Sequence, residues 1–265
     1  MADIKALRNR IKSVDNTMHL TKAMGLVASS KIRRATDAMM RGRQFSEAVE
    51  ELVRVLTTSN ECLKSPYMTV RETGRDRIVV IAGDRGMAGG YNNNVFKLAK
   101  NYPDAEFIPV GKRACDRFGR ERVSSEHFTT GEIYELAEKL CADFAAGLYD
   151  RLGLIGTKYH TVLKQEPEIE WILPLTRWEG PKKEIIFEPD EISILQAAVP
   201  EYVSGKISAA LKESFACEVT ARRNAMDNAS RNAEEMIGDL TIQYNRARQG
   251  GITQEITEIV ASTTN

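Results

Sequence analysis

Apolar residues recur at alternating steps of three and four positions through the first 50 residues of this 265-residue chain. A repeat of 3.5 residues keeps one stripe of a helix turned toward a partner helix, and it predicts a left-handed coiled coil. A helix of about 50 residues would be roughly 75 Å long, which exceeds the width of a core of this size. A coiled coil therefore explains the pattern better than a helix lying on a globular body. The two registers of the seam contain Ile4, Ile11, Met18, Gly25, Ile32 and Met39, and Leu7, Val14, Thr21, Ala28, Ala35, Gly42 and Val49.

The C-terminal region has a similar apolar spacing and supplies the partner helix. Small residues occur in both seams, for example Ala28 and Ala233, and they allow two backbones to approach closely. Because the seams differ, pairing within one chain is favoured over dimerisation. We predict an N-terminal helix over 1–58 and a C-terminal helix over 205–262, wound into an antiparallel coiled coil that projects from a compact body. The C-terminal seam contains Met226, Ala229, Ala233, Met236, Leu240, Tyr244 and Ala247, preceded by Leu211, Phe215 and Val219 and followed by Ile252, Ile256 and Ile259.

The centre of the chain, residues 75–190, has the pattern of a Rossmann-like α/β domain. All eight prolines lie between Pro66 and Pro200, and proline interrupts long helices. The β-branched run Arg77–Gly83 is typical of a strand buried in a parallel sheet, and a glycine-rich turn and a helix over 93–100 follow it. The remaining predicted elements are a strand at 106–110, helices at 112–118 and 132–152, and strand candidates at 154–156, 160–163, 170–173 and 185–188.

A glycine-rich loop, Gly83–Gly90, follows the first predicted strand. Such loops can cradle a phosphate with backbone N–H groups. The spacing here is G-x-x-G-x-x-G-G, which is neither the G-x-G-x-x-G of dinucleotide loops nor the lysine-bearing P-loop. We therefore interpret it as a tight strand-to-helix turn in which Asp84 and Arg85 cap or pair locally. A nucleotide-binding oxidoreductase is the alternative built on this loop.

Charge is unevenly distributed, although 37 basic and 37 acidic residues give the chain no net charge. Residues 1–56 contain 11 basic and 6 acidic groups, so the first helix is locally cationic. The aromatic residues that would stack on single-stranded nucleic acid are missing there. A solvated helix face and an acidic protein partner stay open as interpretations, and cations on the last helix favour the partner. The cations are Lys22, Lys31, Arg33, Arg34, Arg41 and Arg43, joined by Arg222, Arg223, Arg246 and Arg248; the acidic pairs Glu50–Glu51 and Glu234–Glu235 are expected to be solvated.

Motifs for hydrolytic chemistry are missing from the sequence, which has no G-x-S-x-G and no H-E-x-x-H. The four cysteines, Cys62, Cys115, Cys141 and Cys217, lie far apart, which predicts reduced thiols and no metal site. No run approaches the roughly 18 apolar residues that a membrane span needs, and the first residues lack the apolar core of a signal peptide. The residues alone therefore indicate a cytosolic coiled-coil interaction protein with an α/β domain and no catalytic residues.

Two segments near the ends are more specific than these patterns. Residues 20–35, LTKAMGLVASSKIRRA, closely resemble the N-terminal helix signature of the gamma subunits of F-type ATP synthases. The C-terminal helix and the turn after the first strand are also similar to that family, and the matches follow its order and spacing over the whole chain. They are ARRNAMDNA at 221–229, Asn232-Ala233, YNRARQ at 244–249, ITQEI at 252–256, DRG at 84–86 and GGYN at 89–92.

The resemblance implies a central rotor shaft, a non-catalytic subunit that couples transmembrane proton flow by rotation to ATP synthesis or hydrolysis. In that family the terminal helices thread into a ring of alternating alpha and beta subunits, while the α/β domain contacts the epsilon subunit and the membrane c-ring. Turning an asymmetric shaft offers each beta subunit different contacts and so shifts its open and closed states. We expect a peripheral subunit on the cytoplasmic face of the bacterial inner membrane, with no cofactor, no nucleic acid partner and no direct membrane insertion. A free-standing coiled-coil tether is the alternative.

The resemblance also assigns contact residues on both terminal helices. One group would face carboxylate-rich loops of the beta subunit as torque and catch residues. A second, apolar group at the tip would turn inside an apolar sleeve of the ring. The torque and catch residues are Met24, Lys31, Arg33, Arg34, Arg246, Arg248 and Gln249, and the tip residues are Ile252, Ile256, Ile259 and Val260.

The sequence departs from the pattern of the family or its chloroplast members in three ways. Gly83 stands where Ser or Thr is usual and Ala88 where Cys is common, so no redox role is assigned to this turn. The cysteine-bearing insertion of chloroplast relatives is also missing, which argues against thiol regulation. Gly250–Gly251 replaces residues that normally keep the last helix continuous. Two glycines cost a helix about 2 kcal/mol relative to alanine, so a weakened or kinked helix is predicted there.

Overall fold

The computed structural model describes residues 2–71, 73–121, 123–180, 185 and 187–263. These residues group into two compact parts: the helix-pair unit, which contains residues up to 30 and from 222 onward, and the sheet unit, residues 31–221. The elements are α1 (Ala2–Leu56), β1 (Asp76–Ile81), α2 (Tyr91–Ala99), β2 (Glu106–Val110), α3 (Lys112–Phe118), α4 (Thr130–Ala145), β3 (Arg151–Tyr159), β4 (Gln165–Leu173) and α5 (Glu191–Thr263), with short 3-10 turns at Cys62–Lys64 and Pro66–Met68.

The helix-pair unit consists of the first part of α1 and the last part of α5. Near one end of the unit, a Cβ added at Gly251 would lie 3.4 Å from the Cδ1 atom of Ile4. Farther along, the Oγ1 atom of Thr21 is 2.7 Å from the Oγ atom of Ser230. Because the partner number falls as the first number rises, the two helices run antiparallel, as the sequence predicts.

The predicted seam of α1 is buried on the helix-pair side. Each of its positions from Ile4 to Ala28 is partly or fully buried, whereas the basic residues Lys5, Arg8, Arg10, Lys12 and Lys22 between them are exposed. On α5 the assignment of Met236 to the seam is wrong, since that side chain is 44% exposed. Ile237 is covered instead, because alternating steps of four and three residues lead from Ala233 through Ile237 to Leu240.

Helix α5 continues through Gly250 and Gly251 to Thr263. The expected interruption at these glycines is therefore not seen. A Cβ added at Gly250 would meet nothing within 4 Å, so no packing contact requires glycine there. The helix tolerates the cost of the two glycines, because each further turn of this long helix still forms its backbone hydrogen bonds.

A four-stranded sheet in the order β2-β1-β3-β4 forms the middle of the sheet unit. Strands β1, β2 and β3 are parallel, which confirms the buried parallel strand predicted at Arg77–Gly83. Strand β4 pairs antiparallel with β3 through a hairpin, so the sheet is mixed. The sheet and the two long helices confirm the predicted class, an α/β domain combined with antiparallel terminal helices.

Helices cover both faces of the sheet and produce two apolar clusters. On one face Val79 and Ile81 of β1 pack with α4 and with the sheet-unit part of α5, where Phe144 and Ile207 are fully buried. On the other face Ile78 and Val80 pack against α2 and α3. Successive side chains of a strand point to opposite faces, so the continuous apolar run in β1 is what a sheet covered on both sides requires.

Several predicted boundaries are wrong, each for a local reason. The helix predicted at 132–152 ends at Ala145, because Gly147 adopts a left-handed φ of 75° and Leu152 belongs to β3. Helix α5 begins at Glu191, 14 residues before the predicted start at 205. Asp190 accepts a hydrogen bond from the backbone N–H of Ser193 there.

Proline at position 200 lies inside α5, although it removes one helical hydrogen bond. The helix persists because Leu195, Val199 and Val203 are buried in the core on either side of it. The candidate strand at 160–163 is the hairpin turn between β3 and β4. The candidate strand at 185–188 has no strand at its described residues, and Ile186 lies outside them.

Candidate functional site

The predicted contact residues of the helix-pair unit lie at two different levels. Met24 is partly buried next to Gly25, whose missing side chain faces Met226 of α5. Arg248 and Gln249 are exposed more than 20 residues farther along α5. At 1.5 Å per residue, this separation is roughly 30 Å. The structure therefore does not bring Met24 and the arginine group into one site, and they would meet different parts of a partner.

The predicted apolar tip lies just beyond Arg248 and Gln249. Ile252, Ile256, Ile259 and Val260 are between 49% and 65% exposed. Large apolar side chains grouped on one exposed helix end are typical of an interaction surface. The structure thus leaves these four residues accessible on α5, where a partner could cover them.

The cations at the start of the sheet unit are in different environments. Arg33 and Arg34 are exposed, but the Nζ atom of Lys31 lies 3.6 Å from Glu126. Lys31 and Arg34 line one side of a cleft of about 500 Å³, whose other walls include Phe128 and Leu211. Lys31 therefore already has an acidic partner within the chain, which the sequence did not indicate.

The sheet unit corrects the expectation that Glu50 is solvated. Glu50 is only 23% exposed, and its carboxylate accepts hydrogen bonds from Lys206 and from Arg54. Arg43, one of the cations for which a solvated face and an acidic protein partner were both open, donates to Glu213 within the chain. The pair Glu234–Glu235 in the helix-pair unit is exposed, as predicted.

The glycine-rich loop is organised around Asp84. Its carboxylate accepts hydrogen bonds from the hydroxyl of Ser124 and from the backbone N–H groups of Lys112, Ser125 and Glu126. Burial alone would raise the pKa of Asp84, but these hydrogen bonds hold it below its usual value. Asp84 thus ties the loop to the start of α3, as the predicted structural turn requires.

Gly83 and Arg85 complete the turn. A Cβ at Gly83 would lie 2.7 Å from the Cδ atom of the buried Glu218, so glycine makes room for a carboxylate. Arg85 lies 3.8 Å from Glu126, a partner 41 positions away rather than within the turn as predicted. The Glu218 side chain already fills the space beside Gly83, so the geometry favours a structural turn over the nucleotide-binding alternative.

All four cysteines are buried. Burial raises the pKa of Cys62 to about 11 and that of Cys141 to about 12, so these thiols stay protonated and unreactive near neutral pH. Within the described ranges, no group of three or more His, Cys, Asp and Glu side chains is arranged to hold a metal ion. None of the helices formed by those residues is long and apolar enough to cross a membrane.

Sequence reasoning missed a group of charges around Lys206 of α5. The Lys206 side chain contacts α1 and β4. The available signal was a lone cation beside the buried positions Val203 and Ile207 of α5. A charge on an apolar helix face needs a partner, because burying it alone is strongly unfavourable. Its partners, Glu50 and Glu170, could not be chosen without the topology.

Comparisons with known proteins agree over the whole chain. A family model described as ATP synthase matches residues 3–264. The ATP synthase gamma chain of Ruminococcus albus is 38% identical over 284 residues, covering 100% of this chain and 99% of the relative. The ATP synthase gamma chain of Moorella thermoacetica is 36% identical over 276 residues, covering 98% of both chains.

Two solved structures share the fold. A chain of the central stalk/c-ring of the Tetrahymena thermophila mitochondrial ATP synthase aligns with a TM-score of 0.64 at 22% identity, covering 80% of this chain and 99% of that chain. A chain of the Euglena gracilis mitochondrial ATP synthase OSCP/F1/c-ring assembly aligns with a TM-score of 0.69 at 16% identity, covering 99% and 94%. At these identities the likeness concerns the fold.

Proposed function

The chain belongs to the family of ATP synthase gamma chains, and on this premise we infer that it is the central rotor shaft of an F-type ATP synthase. It couples proton flow across the membrane, by rotation, to ATP synthesis or hydrolysis on the alpha/beta ring. The observation that carries this inference is the match over the full length, which includes both terminal helices. A free-standing tether is not favoured, because it would not need the whole length of a gamma chain.

The helix-pair unit has the asymmetry that a shaft needs. Gly25 on α1 lies opposite Met226 on α5, and exposed side chains differ between the two helices. A ligand or partner shifts a two-state equilibrium only through contacts that differ between the states. Rotation of this unit would present different contacts to each beta subunit in turn, and so would change the balance between its open and closed states.

We place the chain in the complex as a subunit without catalytic residues. Its partners would be the alpha and beta subunits, the epsilon subunit and the c-ring, and it would sit peripherally at the cytoplasmic face of a bacterial membrane. The two solved structures that share the fold are chains of mitochondrial ATP synthase assemblies described with a c-ring. This likeness supports the partners in general.

The contacts with the beta subunits would come from two levels of the chain. Met24, Lys31, Arg33 and Arg34 would serve on α1, and Arg246, Arg248 and Gln249 on α5. The exposed cations are suited to contacts that form and release on every turn, because an exposed ion pair contributes only about 0–1 kcal/mol. Lys31 would have to exchange its contact with Glu126 for a partner carboxylate.

The tip residues Ile252, Ile256, Ile259 and Val260 would turn inside an apolar sleeve of the ring. Apolar contact is non-directional, so it resists rotation less than hydrogen bonds would. Exposure of these side chains in the free chain supports the assignment.

Copurification tests the rotor-shaft function directly. The chain, expressed with an affinity tag in its native bacterium, is expected to recover alpha and beta subunits in near-stoichiometric amounts. The recovered complex should pump protons into inverted vesicles when ATP is added. Recovery of an unrelated partner without those subunits would favour the tether and contradict the proposal.

A double substitution tests the contact residues. Arg248→Ala with Gln249→Ala is expected to lower proton pumping per ATP hydrolysed, while nucleotide chemistry on the beta subunits continues. The loss should be partial, because each exposed pair contributes about 0–1 kcal/mol. The matched control is Arg231→Ala with Asn232→Ala, an exposed arginine and amide on the same helix. Equal coupling in both variants would contradict the assignment.

A further inference from the structure

Seven charged side chains of the sheet unit line a polar pocket of about 250 Å³ between α1, α5, β3 and β4. One of them, Glu47, is exposed. The other six, three cations and three carboxylates, are linked to one another by ion pairs and hydrogen bonds. We name this group the charged joint. Its members are Arg43, Glu50, Lys158, Glu170, Lys206 and Glu213.

Lys206 connects three elements in one half of the charged joint. Its Nζ atom donates to Glu50 of α1 at 2.7 Å and to Glu170 of β4 at 2.6 Å. The Lys206 side chain is only 12% exposed. An ammonium that is largely removed from water and held by two carboxylates fixes the distance of α5 from both α1 and the sheet.

Glu213 connects the same two helices to β3 in the other half. One of its oxygens accepts a hydrogen bond from Arg43 of α1 at 2.5 Å and one from the backbone N–H of Tyr159 at 2.8 Å. Lys158 joins the halves, since its Nζ atom lies 3.0 Å from Glu170 and 3.9 Å from Glu213. The six charges therefore form one network.

The environments of Lys206 and Glu170 favour their charged forms. Burial alone would lower the pKa of Lys206, but its hydrogen bonds to Glu170 and Glu50 raise it above the usual value. Burial would likewise raise the pKa of Glu170, but Lys206 and Lys158 lower it. The Lys206–Glu170 ion pair is therefore charged near neutral pH.

The spacing of its members along α1 and α5 allows the charged joint to fix the rotation of each helix about its own axis. Arg43 and Glu50 are seven residues apart on α1, and Lys206 and Glu213 are seven apart on α5. Seven residues are about two turns, so each pair lies on one face of its helix at points roughly 10 Å apart. Two directional contacts on one face fix the rotation of a helix about its own axis. The apolar core beside them is non-directional and fixes that rotation less strictly.

We propose that the charged joint is the angular lock through which torque passes between the sheet and the two long helices. The proposal rests on the rotor-shaft function. The six side chains act as positioning residues: they keep α1 and α5 at a fixed rotation relative to β3 and β4 while the partners load the shaft.

Two paired substitutions remove parts of the charged joint without leaving a lone buried charge; Arg54, which also donates to Glu50, is 51% exposed. Lys206→Met with Glu50→Gln leaves Lys158 beside Glu170 and Arg43 beside Glu213. Arg43→Met with Glu213→Gln is the second variant, in which the amide oxygen can still accept from Tyr159. The matched control is Lys64→Met with Glu61→Gln, a pair that is 68% and 66% exposed.

The measurement uses the complete ATP synthase complex, immobilised through its alpha/beta head and kept without ATP. A bead is attached at Leu163→Cys, because Leu163 is 87% exposed in the β3–β4 turn and the four native cysteines are buried. Angular fluctuation of the bead then reports the stiffness between the sheet and the head. We expect the variance to rise about twofold in each joint variant, since a satisfied buried network rigidifies its surroundings. The control should match the unsubstituted chain.

A second readout separates angular locking from simple stabilisation. Protons pumped per ATP hydrolysed should fall in both joint variants, although the complexes assemble with full stoichiometry. Joint variants that only melt at a lower temperature, with unchanged bead variance and coupling, would overturn the proposal. Failure of the unsubstituted complex to rotate once ATP is added would instead contradict the rotor-shaft function.

Discussion

The helix-pair unit and the sheet unit use the same two helices, α1 and α5, in different ways. In the helix-pair unit one stripe of each helix is covered, and large apolar residues such as Leu26 and Ile242 stay exposed. In the sheet unit Leu56 of α1 and Ile207 of α5 are completely buried with the strands. The comparison teaches that the sheet unit stabilises the fold, whereas the helix-pair unit keeps surface available for a partner.

The largest expected effect comes from the core of the sheet unit. Phe144 is fully buried and its ring lies 6.3 Å from that of Tyr67 and 5.5 Å from that of Tyr149. Phe144→Ala should lower the free energy of unfolding by about 3–5 kcal/mol, through lost burial and the cavity that remains. Denaturant unfolding followed by circular dichroism measures it. Leu26→Ala, at a position 72% exposed, is the control and should change it by less than about 0.5 kcal/mol. Equal losses of unfolding free energy in the two variants would contradict the difference between the two units.

The turn at Asp84 gives a smaller, pH-dependent effect in the sheet unit. Asp84→Ala should cost about 1–2 kcal/mol at neutral pH, because several donors lose a shared acceptor. The folded pKa of Asp84 lies below its unfolded value, so its contribution is present above about pH 4 and is lost as pH falls through the folded pKa.

Unfolding curves of the Asp84→Ala variant and the unsubstituted chain should therefore converge in acid. Asp37→Ala replaces an exposed aspartate of α1 and serves as the control. A stability difference that stays constant down to pH 2 would show that the Asp84 carboxylate is not the source of the effect.

A smaller loss of stability is expected in the helix-pair unit, at the hydroxyl pair of Thr21 and Ser230. Thr21→Val removes the partner of the buried Ser230 and should cost about 1 kcal/mol. Adding Ser230→Ala should recover most of this loss, since both polar groups are then gone. Thermal melting of the two variants measures the recovery. A double variant less stable than Thr21→Val would mean that the seam depends on Ser230 in another way.

The smallest effect is a gain in the helix-pair unit. Gly250→Ala should stabilise α5 locally by up to about 1 kcal/mol, because alanine forms helix more readily and would meet nothing within 4 Å. Slower amide exchange between residues 248 and 254 would report it. Gly238→Ala, equally open, provides the reference gain. No gain at 250 beside a clear gain at 238 would show that α5 is not helical at that point.

Local sequence signals predicted much of the fold. The bounds of β2 and α3 agree with the sequence prediction, because a short apolar strand and the helix that follows it are set by neighbouring residues. The end of α4 was missed, because the left-handed Gly147 outweighs the apolar spacing that continues to Leu148. The exchange of Met236 for Ile237 was missed, because two apolar neighbours satisfy the same pattern.

The candidate site was predictable only in part. Motifs placed Arg248 and Gln249 on an exposed face of the last helix, where the structure has them. The charged joint was beyond the sequence, since Glu50 and Lys206 lie 156 positions apart and no local pattern pairs them. The antiparallel position of β4 brings Glu170 to the same place. Contacts between distant residues follow from topology, and topology is not written in any one segment.

The pairing of the chain's first helix with its last has a consequence for synthesis. About 190 residues separate residue 30 from residue 222, the two inner limits of the helix-pair unit. At 5–20 residues per second, the first seam leaves the ribosome roughly 10–40 seconds before its partner. Until then its apolar stripe has no partner helix to cover it, so we expect chaperones to bind residues 4–28 early in synthesis. Ribosome profiling of chaperone-bound nascent chains would detect such binding before residue 222 is translated.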